Sequence, residues 1–135
     1  MKILIIGGNG FIGSHLIDHL LKSDHEIRVF DIAYERFRTP LANVDYRISS
    51  LENISALHEA LLDIDIVFHL ASNTVPSTLS IDNIADIKNN LILTLNILNL
   101  SVKLGVKKFI YFSSGGAVYG YAHVSSDIEI PIYSI

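Results

Sequence analysis

The feature that most restricts this chain is a cluster of four glycines in seven residues, Gly7-Gly8-Asn9-Gly10-Phe11-Ile12-Gly13. Its setting matters more than its count. Residues 2–6 form an apolar run that stops at Gly7-Gly8. From Phe11 to about Lys22, Ile12, Leu16, Ile17, Leu20 and Leu21 recur at helical spacing. A glycine loop between a strand and a helix suits an anion: Gly7 permits the tight turn, Gly10 leaves no Cβ in the path of a pyrophosphate, and Gly13 lets the helix pack closely. The first N–H groups of the helix point at such a ligand, and the helix dipole adds partial positive charge. The competing reading is an ordinary turn with incidental glycines.

Asp31 argues against that alternative. It ends a second strand, 26–31, eighteen residues after Gly13, where a dinucleotide fold needs a carboxylate for the adenosine ribose hydroxyls. The same charge repels a 2′-phosphate, which favours NAD over NADP, while Arg36 and Arg38 nearby weaken that preference. Residues 32–43 show no period, and Pro40 discourages helix. A weak strand at 44–48 precedes a short helix near 53–62, with Ile54, Leu57 and Leu61 on one face and Asn53 as its cap. Ile64 to Leu70 reads as a buried strand, and 71–80 as a polar loop. A long helix then runs to about Leu104, its stripe being Ile84, Ile87, Leu91, Leu95, Leu98 and Val102, and Gly105 ends it. Phe109 to Phe112 makes the fifth strand. Strand–helix alternation with crossovers of this length requires parallel pairing, hence an α/β sheet with helices on both faces.

At 135 residues the chain has room for one core, so residues 1–135 are expected to form one domain. Half the residues are apolar, only 18% are charged and the net charge is −4, which excludes a basic nucleic-acid surface. The absence of cysteine excludes disulfides and thiolate metal sites, and no metal is expected. No signal peptide or membrane-spanning run is read, so no membrane partner is expected and the cytoplasm is the default location.

Four segments occur in order: Gly-Gly-Asn-Gly-Phe-Ile-Gly (7–13), His-Leu-Ala-Ser (69–72), Asn-Leu-Ile-Leu-Thr-Leu-Asn (90–96) and Ser-Ser-Gly-Gly-Ala-Val-Tyr-Gly (113–120). Together they resemble the extended short-chain dehydrogenase/reductases, in the NAD-dependent nucleotide-sugar epimerase/dehydratase branch that includes UDP-glucose 4-epimerase. The resemblance implies a Rossmann-type doubly wound parallel sheet of five strands in the order 3-2-1-4-5, and an enzyme that passes hydride transiently to NAD from a nucleotide-sugar substrate. It implies that Gly7, Gly10, Phe11, Ile12 and Gly13 hold the pyrophosphate and Asp31 the ribose. The resemblance further implies that Leu51 would lie near the adenine and that Leu70, Ala71 and Ser72 would line the cofactor. Asn90 would sit beside the active site and Ser113 near the nicotinamide. His69 is read as structural rather than catalytic.

The sequence also departs from the family pattern. Ser50 stands where an aspartate usually meets the adenine amino group, and Leu93 where glycine is common. The catalytic Ser/Thr position falls on Gly115, so Ser114 is the candidate for the substrate hydrogen bond. No tyrosine is followed four residues later by lysine, so the family's acid/base pair is missing. The expectation is a fragment cut just before the catalytic helix, without the C-terminal substrate domain and inactive alone, that self-associates through helix 83–104. Other readings are a non-catalytic NAD-binding regulatory module, a dehydratase or reductase of the same family, and a bare doubly wound domain.

Overall fold

The computed structural model describes residues 1–36, 38–72 and 87–113. Chain order is β1 (Lys2–Ile6), α1 (Phe11–Leu20), β2 (Glu26–Asp31), β3 (Val44–Ile48), α2 (Ile54–Leu61), β4 (Ile66–His69), a π-helical turn (Ile87–Ile92), α3 (Leu93–Lys103) and β5 (Lys108–Tyr111). The five strands form one parallel sheet in the order β3-β2-β1-β4-β5, as expected. β1 is central, with Ile5 beside Val29 on one side and Phe68 on the other. Ile3 to Ile6 are all buried, which explains a continuous apolar run where a one-sided strand would alternate.

Two cores lie on opposite faces. Ile3, Ile5, Ile27 and Val29 pack with Ile17 of α1. Leu4, Ile6, Phe30 and Val67 pack with Leu57, Ala60 and Leu61 of α2 and Ile97 of α3. The Asn53 side chain caps α2, accepting from Ala56 N–H at 3.2 Å. At the amino ends of the strands, Asp65 accepts from Lys2 N–H at 2.8 Å and pairs with Lys107 at 2.6 Å, tying β1, β4 and β5 together.

The long-helix stripe is corrected by the structure. Ile87, Leu91, Leu95 and Val102 are exposed, Val102 at 79%, whereas Leu93, Ile97 and Ser101 face the core, Ile97 at 0%. Ser101 is tolerated there because its hydroxyl donates to Ile97 C=O at 2.7 Å. Ile84 lies outside the described residues. Ile12 and Ile54, each placed on an apolar helix face, are also exposed. α3 ends as Gly105 suggests: at φ +75° its N–H reaches Val102 C=O, and Val106 N–H reaches Ser101 C=O at 2.9 Å. Among the described residues no helix is long and apolar enough to cross a membrane.

Candidate functional site

The chain builds β1, β2 and β3 in one direction, then returns to the other side of β1 for β4 and β5. Such a reversal leaves a crevice at the carboxyl ends of the strands. A cleft of about 800 Å³ opens there, walled by the ends of β1 (Ile6, Gly7), β2 (Phe30, Asp31) and β4 (Leu70, Ala71).

The glycine loop forms its floor. Gly7 sits at φ +80°, and a Cβ there would come within 2.6 Å of Ala71 N. A Cβ on Gly13 would lie 2.4 Å from Gly8 O, so α1 rests directly on the loop backbone. Gly10 differs: a Cβ there would meet only Gly7 O, at 3.4 Å, an ordinary contact. Protein packing therefore does not demand glycine at 10, and the side left open is the cleft it lines. The first helical amide bond runs from Ser14 N–H to Gly10 C=O at 2.9 Å, so the amides of Ile12 and Gly13 precede the intrahelical ladder. Open space in front of leading helix amides suits a diphosphate.

Asp31 faces this cleft. Its Oδ2 accepts from Asn9 N–H at 2.9 Å and its Oδ1 from Ile32 N–H at 2.7 Å, which fixes the carboxylate against the loop. Asn9 escaped the sequence reading. Its buried side chain donates to Ala33 C=O at 2.6 Å, stitching the glycine loop to the segment after β2. The available signal was a polar residue inside a glycine turn, which must find a partner when buried.

Arg36 and Arg38 have different fates. Arg38 is taken up by the buried Glu35 carboxylate at 2.9 Å, by Asp18, and by Ser14 C=O at 3.1 Å. Arg36 lines the cleft. Of the sequence candidates, the cleft gathers Gly7, Gly10, Phe11, Asp31, Leu51, Leu70, Ala71 and Ser72. Ile12 and Gly13 lie outside its lining, Ile12 with its side chain exposed and Gly13 buried against Gly8. Asn90 lies in the π-helical turn and Ser113 just past β5, neither among the lining residues. Ser114 lies outside the described residues, as do Gly115 and the 116–120 segment. Lys88 and Leu93 do line the cleft, and Lys88 Nζ sits 2.8 Å from Glu52 Oε1 on the opposite wall. The pair holds the Glu52 carboxyl below its ordinary pKa and the Lys88 ammonium above it.

His69, at the end of β4, is buried, with Nε2 2.9 Å from Thr94 Oγ1. Burial lowers its pKa from 6.5 to about 4, so it is neutral at pH 7. A base depressed in the folded state takes up its proton more readily when unfolded. Its contribution to stability is therefore complete above pH 6.5 and is lost as pH falls toward 4. From this group, urea denaturation should lose up to about 3 kcal/mol across that window, with a smaller loss for His69→Asn. Equal profiles for the two proteins would refute the assignment.

The NAD dependent epimerase/dehydratase family model matches residues 3–133. UDP-glucuronic acid decarboxylase 1 of Xenopus tropicalis is 34% identical over 132 residues, 95% of this chain and 30% of that protein. The UDP-glucose 4-epimerase of Thermotoga maritima, solved with UDP-glucose, matches at TM-score 0.81 and 34% identity, over 98% of this chain and 45% of that one. The UDP-glucose 4-epimerase of Thermus thermophilus, solved with NAD, matches at TM-score 0.85 and 30% identity, over 96% and 42%. The chain spans about a third of the length of the curated relatives it matches. With nearly every residue matched, and the same strand order and glycine turn in place, this chain belongs to the NAD dependent epimerase/dehydratase family.

Proposed function

We propose that this chain supplies the NAD-binding unit of a nucleotide-sugar 4-epimerase. One observation carries the reading: the open face of Gly10 and the Asp31 carboxylate border the same cleft. In this reading Gly10, whose own N–H donates to Gly7 C=O, leaves room for the pyrophosphate, and the amides from Phe11 to Gly13 hold it, Ile12 contributing its backbone rather than its exposed side chain. Asp31 accepts from the adenosine ribose hydroxyls, and Leu51 packs near the adenine. Leu70, Ala71 and Ser72 flank the middle of the dinucleotide. Asn90 and Ser113 lie toward its nicotinamide end, and Ser114 serves the substrate. When bound, NAD would accept hydride from a sugar carbinol carbon and return it to the opposite face of the ketone so formed.

A decarboxylase of UDP-sugar acids is the second reading, supported by relatives such as the Xenopus protein at 34% identity. Both readings require NAD in this cleft. The 135 residues should bind NAD by calorimetry yet turn over neither UDP-glucose nor UDP-glucuronic acid. Failure to bind NAD at millimolar concentration would refute both readings, and turnover of either sugar would refute the inactivity. We place a second copy of the chain against the exposed face of α3, around Leu95 and Val102. Light scattering at high concentration should show a dimer, and a clean monomer would exclude this contact.

A further inference from the structure

Among the described residues, the turn Ile87–Ile92 is the one helical segment bordering the cleft that departs from α geometry, and a buried side chain of β4 reaches the helix just beyond it. At the seam where the wide turn becomes α3, the Thr94 hydroxyl donates to Asn90 C=O, one turn back, at 2.5 Å. A carbonyl only accepts, so the single Thr94 hydroxyl proton is committed there. Toward His69 the same oxygen must then act as acceptor, which places the imidazole proton on Nε2 at 2.9 Å. Nδ1 is left as a bare lone pair, buried and without a hydrogen-bond partner among the described residues. The Phe109 and Tyr111 rings meet the imidazole edge-on, with centroids 6.1 and 5.5 Å away, and fix its plane. Thus β4, Thr94 and the wide turn form one directed chain of hydrogen bonds: His69 Nε2–H to Thr94, and Thr94 O–H to Asn90.

The wide turn has a consequence for the cleft. A π turn holds one residue more than an α turn, so a residue at its start is displaced by about 100° around the axis relative to a continuous α register. Lys88 lies within this turn and Leu93 immediately after it, and both line the cleft. In a plain α register Lys88 would be carried off the wall and away from Glu52. Back-bonding by threonine to a carbonyl one turn earlier is a recognised way to distort a helix, and here the threonine is itself held by a buried donor on the sheet.

We infer that His69 is a positioning residue for the dinucleotide cleft, acting through the Thr94 hydroxyl to hold the 87–92 turn in the register that sets Lys88 into the wall beside Leu93. The inference rests on the NAD reading above, and its test separates the two. Thr94→Val keeps the shape and removes both hydrogen bonds, whereas Thr94→Ser keeps both.

Long-range ¹⁵N spectra of the wild type should show a neutral imidazole protonated at Nε2. Thr94→Val should lose that fixed tautomer, speed amide exchange over 91–95, and weaken NAD binding about tenfold. Thr94→Ser should bind NAD within about twofold of wild type, since the network survives. The inference is overturned by an Nδ1–H tautomer in the wild type, by unchanged NAD affinity in Thr94→Val, or by equal losses in the valine and serine variants. A wild type that shows the Nε2–H tautomer and a protected turn but binds no NAD defeats the dinucleotide reading. The relay would then be only a brace between β4 and α3.

Discussion

Replacing Gly10 with alanine should lower NAD affinity about a hundredfold, or about 2.7 kcal/mol, while moving the melting temperature by only about 4 °C. The backbone at Gly10, φ −78° and ψ 175°, is open to any residue, and the new Cβ meets nothing closer than Gly7 O at 3.4 Å. The folded-state cost is the poorer helix cap, about 1 kcal/mol. The binding cost is larger because the methyl group occupies the approach to the leading amides of α1. Gly13→Ala should behave in the opposite way. Its Cβ would lie 2.4 Å from Gly8 O and 2.5 Å from Gly8 Cα, backbone atoms that cannot rotate aside. Overpacking of this kind costs about 3 kcal/mol or more, so the protein should melt roughly 10 °C lower before any effect on binding is considered. Thermal melts and calorimetric titrations of the two variants would establish the pattern. A Gly10→Ala protein that binds NAD normally would remove the diphosphate from this loop.

The second large effect concerns the choice of dinucleotide. Wild-type protein should prefer NAD to NADP by about a hundredfold, because a 2′-phosphate would have to sit against the Asp31 carboxylate. Arg36 is the cation at hand to offset that repulsion, and Arg38 is not available, being held by Glu35, Asp18 and Ser14. Asp31→Ala should reduce NAD affinity at least tenfold and bring the two constants within about fivefold of each other. Part of the NAD loss comes from the loop, since Asp31 also anchors Asn9 N–H. Asp31→Asn separates the two effects: an amide oxygen still accepts from Asn9, but the charge is gone. It should therefore recover much of the NAD affinity without restoring discrimination against NADP. Titrations with both dinucleotides decide this, and unchanged discrimination in Asp31→Asn would mean that the carboxylate does not select the cofactor.

The strands and the glycine turn were legible because their causes are local. Ile3 to Ile6 are apolar without interruption, and Gly7 and Gly13 sit where backbone meets backbone. The face of α3 was misread for two physical reasons. Residues 91–100 are apolar on more than one side, so the period fixes a helix without fixing its phase. A stripe counted through 87–92 also drifts, because the π turn adds a residue that a count in threes and fours cannot contain. That turn depends on His69 and Thr94, 25 residues apart, and no window along the chain couples them. The loop after β2 was illegible for a similar reason. Glu35 is buried only because Arg38 reaches it, and Arg38 is anchored in turn by α1. Of the candidate site, the part at strand ends was readable, since any doubly wound sheet gathers those residues in its crevice. Lys88 and Asn9 were not, because their places follow from tertiary contacts.

In the proposed reading, backbone amides of the opening turn grip a diphosphate beside Asp31. The most direct measurement is an amide ¹H–¹⁵N titration of the 135-residue chain with NAD. The largest shifts should fall on Gly10, Phe11, Ile12 and Gly13, with Ile32 and Ala33 next, and ADP should reproduce the first group. Shifts concentrated elsewhere, or none in the glycine turn at saturation, would contradict it.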